Sequence, residues 1–211
     1  MDDDCLFCSV NRDPEDTLEW YDRPILRDHG TGAAIAALGS FVPGYVLVAP
    51  AWHLSSVQGL PINVVSGFIR FLTEVIDLVS ARYGPCTLFE HGSCRSSERR
   101  RSACITHAHI HVIPGRYSLD ALELPVRLFD DLTSFTTVPA TERYDGYLMY
   151  REPQGPVCYA ADLGISQYFR RHVAAVLGAA DDWDYALFPN WDNMRHTVQE
   201  LTSTPAKMRI Q

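Results

Sequence analysis

The chain has 211 residues, enough for a full hydrophobic core, and its 26 acidic against 18 basic side chains give a formal net charge of −8. That balance excludes a general basic surface for nucleic-acid polymers and leaves a small metabolite as the expected partner, with at most a local basic patch around an anionic one. Among the basic residues only Lys207 is a lysine, so a buried catalytic lysine is excluded unless this tail residue supplies it.

The opening Met1-Asp2-Asp3-Asp4 is acidic and no long apolar run follows, a pattern with neither secretory signal nor membrane span, so a cytoplasmic location is expected. Six cysteines in an intracellular chain read as ligands or core residues rather than disulfides, and only Cys5 and Cys8 have ligand spacing. Residues 19–28 and 32–38 read as two short strands joined by the turn Asp28-His29-Gly30-Thr31-Gly32. A third strand, 44–50, ends at Pro50. Over residues 61–83 the apolar positions Val64, Val65, Phe68, Phe71, Leu72, Val75, Ile76 and Val79 recur at three and four, which predicts a helix stopped by Gly84-Pro85. Residues 86–91 and 105–113 read as two more strands. The polar segment 93–102 between them carries Arg95, Arg99, Arg100 and Arg101. It is either a loop that closes over an extended anionic substrate through bidentate arginine contacts or a solvated insertion. Beyond Arg116 the pattern predicts an irregular stretch to Thr141, a hairpin of 144–151 with 156–161, and helices near 166–177 and 193–203.

The strand at 105–113 carries most of the chemistry. His107, His109 and His111 alternate with Ala108 and Ile110, so a side-chain period of two puts three imidazoles on one face and apolar packing on the other. A helix would scatter them. Imidazole titrates near neutrality, serves as nucleophile or general acid and base, and binds metals, which favours a site over an exposed run of polar residues.

Cys5-Leu6-Phe7-Cys8, then residues 44–53 (Gly-Tyr-Val-Leu-Val-Ala-Pro-Ala-Trp-His), then the histidine ladder closing in Val112-Ile113-Pro114 resemble the histidine-triad (HIT) superfamily of nucleotide hydrolases and transferases. The resemblance covers roughly residues 5–115. Together with the strand and helix pattern it implies an α+β fold, a HIT-like antiparallel sheet with a packed helix, followed by a C-terminal hairpin and helices. Residues 1–115 would form the catalytic core, and 116–211 an extension packed on it that contributes to the substrate pocket. By the resemblance His109 attacks the α-phosphorus of a nucleotide ester, anhydride or phosphoramidate, and water or another acceptor releases the nucleotidyl-histidine. A hydrogen bond from its other nitrogen to a backbone carbonyl would hold His109 in the right tautomer, and His111 would face the transferred phosphoryl oxygens. The substrate would be a dinucleoside polyphosphate, a phosphoramidate or an acyl-nucleotide. A nucleotidyltransferase or phosphorylase with the same covalent step, or a catalytically weak nucleotide-binding module, are the alternatives. Some bacterial members place ligands as Cys5, Cys8, His53 and His107 stand here, which implies a closed structural Zn²⁺ site that organises the centre without doing the chemistry. A homodimer is one outcome for such a chain, and an extension standing in for the partner subunit is the other.

The sequence departs from the family pattern in three places. Many HIT enzymes bind ribose through an aspartate on the second strand, whereas residues 33–38 here carry no carboxylate. The usual glutamine and serine before the triad are replaced, at about the same spacing, by Ala103 and Cys104, so Cys104 is a leaving-group contact or simple packing. Where the common core has an asparagine and a glycine, the chain has Phe89-Glu90-His91-Gly92. Glu90 is a candidate for orienting a histidine or binding a sugar hydroxyl, and His91 for donating to the phosphate or leaving group. Ser166 is placed to N-cap a helix whose free N–H groups would form an anion site, with Gln167 adding polar contacts beside His109. The plainer reading is an ordinary amphipathic helix with a solvated Arg170/Arg171 pair.

Overall fold

The computed structural model describes residues 5–93 and 107–203. The arginine-rich loop and Cys104 lie outside these described residues. A first helix that the sequence pattern did not signal, α1 (Leu6–Arg12), precedes the strands β1 (Leu26–Asp28), β2 (Gly32–Ala36) and β3 (Val46–Pro50). Helix α2 (Ile62–Tyr83) then leads into β4 (Cys86–Ser93) and β5 (Ile110–Pro114). The stretch expected to be irregular contains β6 (Arg127–Phe129) and α3 (Leu132–Thr136). The hairpin β7 (Gly146–Arg151) and β8 (Val157–Ala161) follows, then helices α4 (Tyr168–Val176) and α5 (Trp191–Thr202). None of these helices is long and apolar enough to cross a membrane.

The architecture is α+β. Among the described residues eight strands form one antiparallel sheet in the order β1-β2-β3-β5-β4-β7-β8-β6, so the C-terminal strands continue the sheet past β4. Helices cover both faces. Phe68, Phe71, Leu72, Val75 and Val79 of α2 pack with Phe135 of α3 and Met194 and Leu201 of α5 on one face. Each fully buried Phe or Leu there contributes about 2 kcal/mol from burial alone. The opposite face is covered by Phe7 and Val10 of α1 and by Phe169 and Val173 of α4. Helix α2 approaches the sheet so closely that a Cβ on Gly32 would lie 2.7 Å from the Ala49 carbonyl oxygen and 3.3 Å from the Phe71 ring.

The histidine segment is only partly strand. Pairing of β3 with β5 runs Val46↔Val112, Leu47↔His111, Val48↔Ile110; continued in that register, Ala49 would face His109 and Pro50 would face Ala108. Pro50 has no N–H to donate, so the ladder stops there and only His111 of the three histidines lies within β5. Residues 51–56 fill the gap. The Ala108 N–H donates to the Leu54 carbonyl, and the Ser93 N–H donates to the Ser55 carbonyl at 2.9 Å. Ser55 Oγ returns a bond to the Ser93 carbonyl at 2.7 Å. This wedge between β4 and the histidine segment carries His53. The face alternation survives: Ala108, Ile110 and Val112 join the α2 side, leaving the histidines to the α1/α4 side.

Glu90 corrects the sequence reading. It sits on β4 between Phe89 and His91, so pleating turns it away from the histidines and into the α2 side, where it is 1% exposed. One carboxylate oxygen accepts the Val57 N–H at 3.0 Å and the other accepts the Tyr147 hydroxyl. Tyr147 reaches it by lying over Gly92, where any Cβ would meet the ring at 2.2 Å. Burial pushes the Glu90 pKa up to about 7 against the pull of these two donors.

A raised folded-state pKa means that Glu90 stabilises the fold fully below its unfolded value of about 4.5 and that this contribution is lost as pH rises through about 7. Denaturant unfolding at about pH 5 and about pH 8 should therefore show the native chain losing on the order of 2 kcal/mol relative to Glu90→Gln. Equal pH slopes for the two proteins would show that Glu90 does not titrate in this window.

Candidate active site and metal centre

Alternation, ring packing and two helices hold the histidines in one row on the α1/α4 face. Phe7, on α1, lies 5.4 Å from the His107 ring and 5.2 Å from that of His109, nearly parallel to the latter. His109 and His111 are 4.9 Å apart between ring centres. Phe89 stacks on His111 at 4.3 Å and 17°, and Phe169 of α4 packs behind it at 5.2 Å. Rotation of either imidazole would have to displace a buried aromatic ring.

Hydrogen bonds assign the protons. His109 Nδ1 lies 2.8 Å from the His107 carbonyl oxygen, which can only accept, so the ring proton is on Nδ1 and Nε2 keeps its lone pair. Burial lowers the His109 pKa, so the ring is neutral near pH 7. His111 is held well below the ordinary histidine range, first by burial and then by like charge nearby, of which the Arg170 guanidinium is the permanent one. Its Nδ1 is 2.6 Å from Tyr45 Oη. His91, one position beyond Glu90, does turn to this face, and its Nε2 donates to Asp162 Oδ1 at 2.8 Å. The row thus offers a neutral imidazole nitrogen free to attack an electrophile, with a second neutral imidazole beside it.

The first histidine belongs to a different cluster. The Sγ atoms of Cys5 and Cys8 and one ring nitrogen each of His53 and His107 all lie within 4.8 Å of one another. Individual separations are 3.5 Å from Cys5 Sγ to His107 Nδ1, 3.7 Å from Cys8 Sγ to the same atom, and 3.2 Å from Cys8 Sγ to His53 Nδ1. His107 Nε2 donates to the Pro50 carbonyl at 2.9 Å, so its Nδ1 presents a lone pair to the thiols, as a metal ligand must. Burial takes the His107 pKa down to about 4, which keeps it unprotonated. Arg27 clamps the end of α1 by donating to the Val10 and Asp13 carbonyls at 3.0 and 2.8 Å. The four residues are therefore able to hold a metal ion.

The C-terminal segment differs from expectation at Ser166. Helix α4 begins at Tyr168 and its N-cap is Gln167, in a left-handed conformation (φ 56°, ψ 34°) with no side-chain capping bond. Ser166 lies one residue too early to cap. The segment 163–167 nonetheless connects Asp162, bonded to His91, with Phe169, packed on Phe89. Sequence reasoning also missed Arg170, read as solvated with Arg171. Arg170 is 5% exposed, donates to Tyr45 Oη at 3.3 Å and to the Gly39 and Trp183 carbonyls at 3.0 and 3.1 Å, and lies over the Phe41 ring. The signal was its spacing of three and four from the buried Val173 and Ala174.

A scan against protein-family models finds no match, and neither does a search of curated proteins. Among solved structures the chain is similar to a Hit-like protein involved in cell-cycle regulation from Bartonella henselae, at 16% identity and TM-score 0.41 over 54% of this chain and 80% of that one. It is also similar to a hypothetical histidine triad nucleotide-binding protein from Sulfolobus tokodaii, again at 16% identity and TM-score 0.41, over 84% of this chain and 93% of that one.

Proposed function

We propose that the chain is a histidine-triad nucleotide hydrolase that cleaves at an α-phosphate through a nucleotidyl-histidine and releases a nucleoside monophosphate. The observation that carries this reading is the His109 ring: buried, neutral, its proton fixed on Nδ1 by the His107 carbonyl, and its Nε2 lone pair beside His111. In the first step Nε2 forms a bond to phosphorus as the bond to the leaving group breaks, and the leaving group departs with the electron pair. Water then attacks phosphorus, the nitrogen–phosphorus bond breaks, and neutral His109 is restored once the water proton is lost. His111 faces the phosphoryl oxygens, where charge develops. His91, Ser166 and Gln167, around Asp162 and the start of α4, are the candidates for leaving-group and sugar contacts. They take the place of an acid on β2, whose residues facing this side are Ala33 and Ile35. A transferase would differ only in the acceptor for the second step.

The metal in this reading is zinc. Its bonds to sulfur and nitrogen make a tetrahedral S···N edge of about 3.6 Å, and the three observed separations bracket that value. Four protein donors complete its shell, so zinc would tie α1 and residues 51–56 to the histidine segment without touching substrate. A cytoplasmic location goes with thiolate ligands that must stay reduced. Strand β7 pairs along β4 within the chain, which closes that edge to a second copy and supports an extension standing in for a partner subunit over a homodimer joined there. A small nucleotide, with no nucleic-acid polymer and no membrane, is the partner.

Turnover of a panel of adenylylated and guanylylated phosphoramidates and dinucleoside polyphosphates, with and without inorganic phosphate, tests the reaction and separates hydrolysis from transfer to phosphate. On any substrate so found, His109→Asn should lower kcat by on the order of 10³-fold with binding retained, and near-normal kcat would reject the covalent step. Elemental analysis should give about one zinc per chain. The double variant Cys5→Ser, Cys8→Ser should lose the metal and on the order of several kcal/mol of stability; a metal-free variant of undiminished stability would remove the structural role.

A further inference from the structure

Arg170 is a buried cation whose hydrogen bonds among the described residues all end on neutral oxygens, those of Tyr45, Gly39 and Trp183. Its guanidinium lies 4.5 Å from the Phe41 ring centre, and a Cβ on Gly39 would stand 2.7 Å from its Nη2. The guanidinium is thus packed against the Phe41 ring and the Gly39 backbone. Tyr45 is fully buried between Arg170 and His111.

We propose that Arg170 and Tyr45 act together as positioning residues that fix the tautomer of His111, holding its single proton on Nε2. Arginine only donates, so Tyr45 Oη receives the Arg170 N–H and must place its own proton elsewhere. The acceptor in reach is His111 Nδ1, at 2.6 Å. The opposite tautomer would put two donors on Tyr45 Oη and leave the phenolic proton buried without an acceptor, a loss of about 1–3 kcal/mol. Burial raises the Tyr45 pKa, so the phenol keeps the proton that it donates. Neighbouring imidazoles are thus set in opposite tautomers: His109 with a bare Nε2, His111 with a protonated one.

The catalytic consequence rests on the hydrolase reading. An attacking nitrogen and an N–H donor for a phosphoryl oxygen are what displacement at phosphorus requires, and an unset His111 would turn a lone pair toward an anionic oxygen part of the time. The donor is set from the C-terminal helix α4, far along the chain from the triad.

The test uses the full-length, metal-replete protein labelled with ¹⁵N-histidine. Long-range ¹H–¹⁵N spectra, with His111 assigned from its loss in His111→Asn, report which ring nitrogen bears the proton. The relay predicts His111 protonated on Nε2 in the native protein and a shift toward protonated Nδ1 in Tyr45→Phe, with His109 unchanged in both. On adenosine phosphoramidate, Tyr45→Phe should lower kcat about tenfold, the effect of one lost hydrogen bond, with KM within about twofold. A native spectrum with the His111 proton on Nδ1 overturns the proposal, as does a Tyr45→Phe protein whose His111 tautomer is unchanged. The native spectrum decides even if the variant fails to fold. Because the spectra need no substrate, failure of the hydrolase reading shows separately, as absent native turnover.

Discussion

The missing N–H of Pro50 is the constraint on which the rest of the centre depends. Proline at that position removes the donor that an extension of the β3/β5 ladder beyond Val48↔Ile110 would need. The ladder is cut after Ile110, and residues 51–56 enter the gap with Leu54 and Ser55 taking up the freed backbone groups. His53 is carried into reach of Cys8, and the Pro50 carbonyl, relieved of a ladder partner, accepts from His107. The histidine run is thereby divided: His107 joins the cysteine cluster, and His109 and His111 stand apart from it.

What distinguishes those two is where each ring nitrogen finds its partner. Burial favours the neutral form of both, since charging an imidazole away from water is costly. Neutrality alone leaves two tautomers of nearly equal energy, and only a neighbour of fixed polarity separates them. For His109 that neighbour is the His107 carbonyl, two residues away in sequence. For His111 it is Tyr45 on the turn into β3, which is itself held by Arg170 from α4.

The C-terminal half is accordingly more than an appendage. Strands β7, β8 and β6 extend the sheet, Asp162 at the end of β8 orients His91, and α4 covers Phe89 and His111. A guanidinium without a carboxylate is expensive to bury, and the rings of Phe41 and Tyr45 with the carbonyls of Gly39 and Trp183 offset part of that cost.

Local rules made much of this legible. The three-and-four spacing gives α2 within a residue of its bounds, the turn residues give the β7/β8 hairpin and the β1/β2 turn, although the strand read over 19–28 is confined to Leu26–Asp28, and the period of two gives the side on which the histidines stand. The pairing of Cys5 and Cys8 with His53 and His107 was accessible through the resemblance, and the tautomer of His109 because its partner is two residues away. Helix α1 and the short α3 and β6 escaped, since segments of three to seven residues carry too little periodicity to stand out and are held by what they pack against. Glu90 and Arg170 escaped for a further reason. The sequence reading put Glu90 at the site and, in its plainer form, Arg170 in water, and only the packed structure supplies the Tyr147 hydroxyl or the carbonyls that let each be buried. Sequence by itself determined which residues lie near one another along a strand or helix and which face they share. Which distant group meets them, and therefore where each proton rests, was decided by tertiary structure, because hydrogen-bond polarity across 60 or more residues has no local signature.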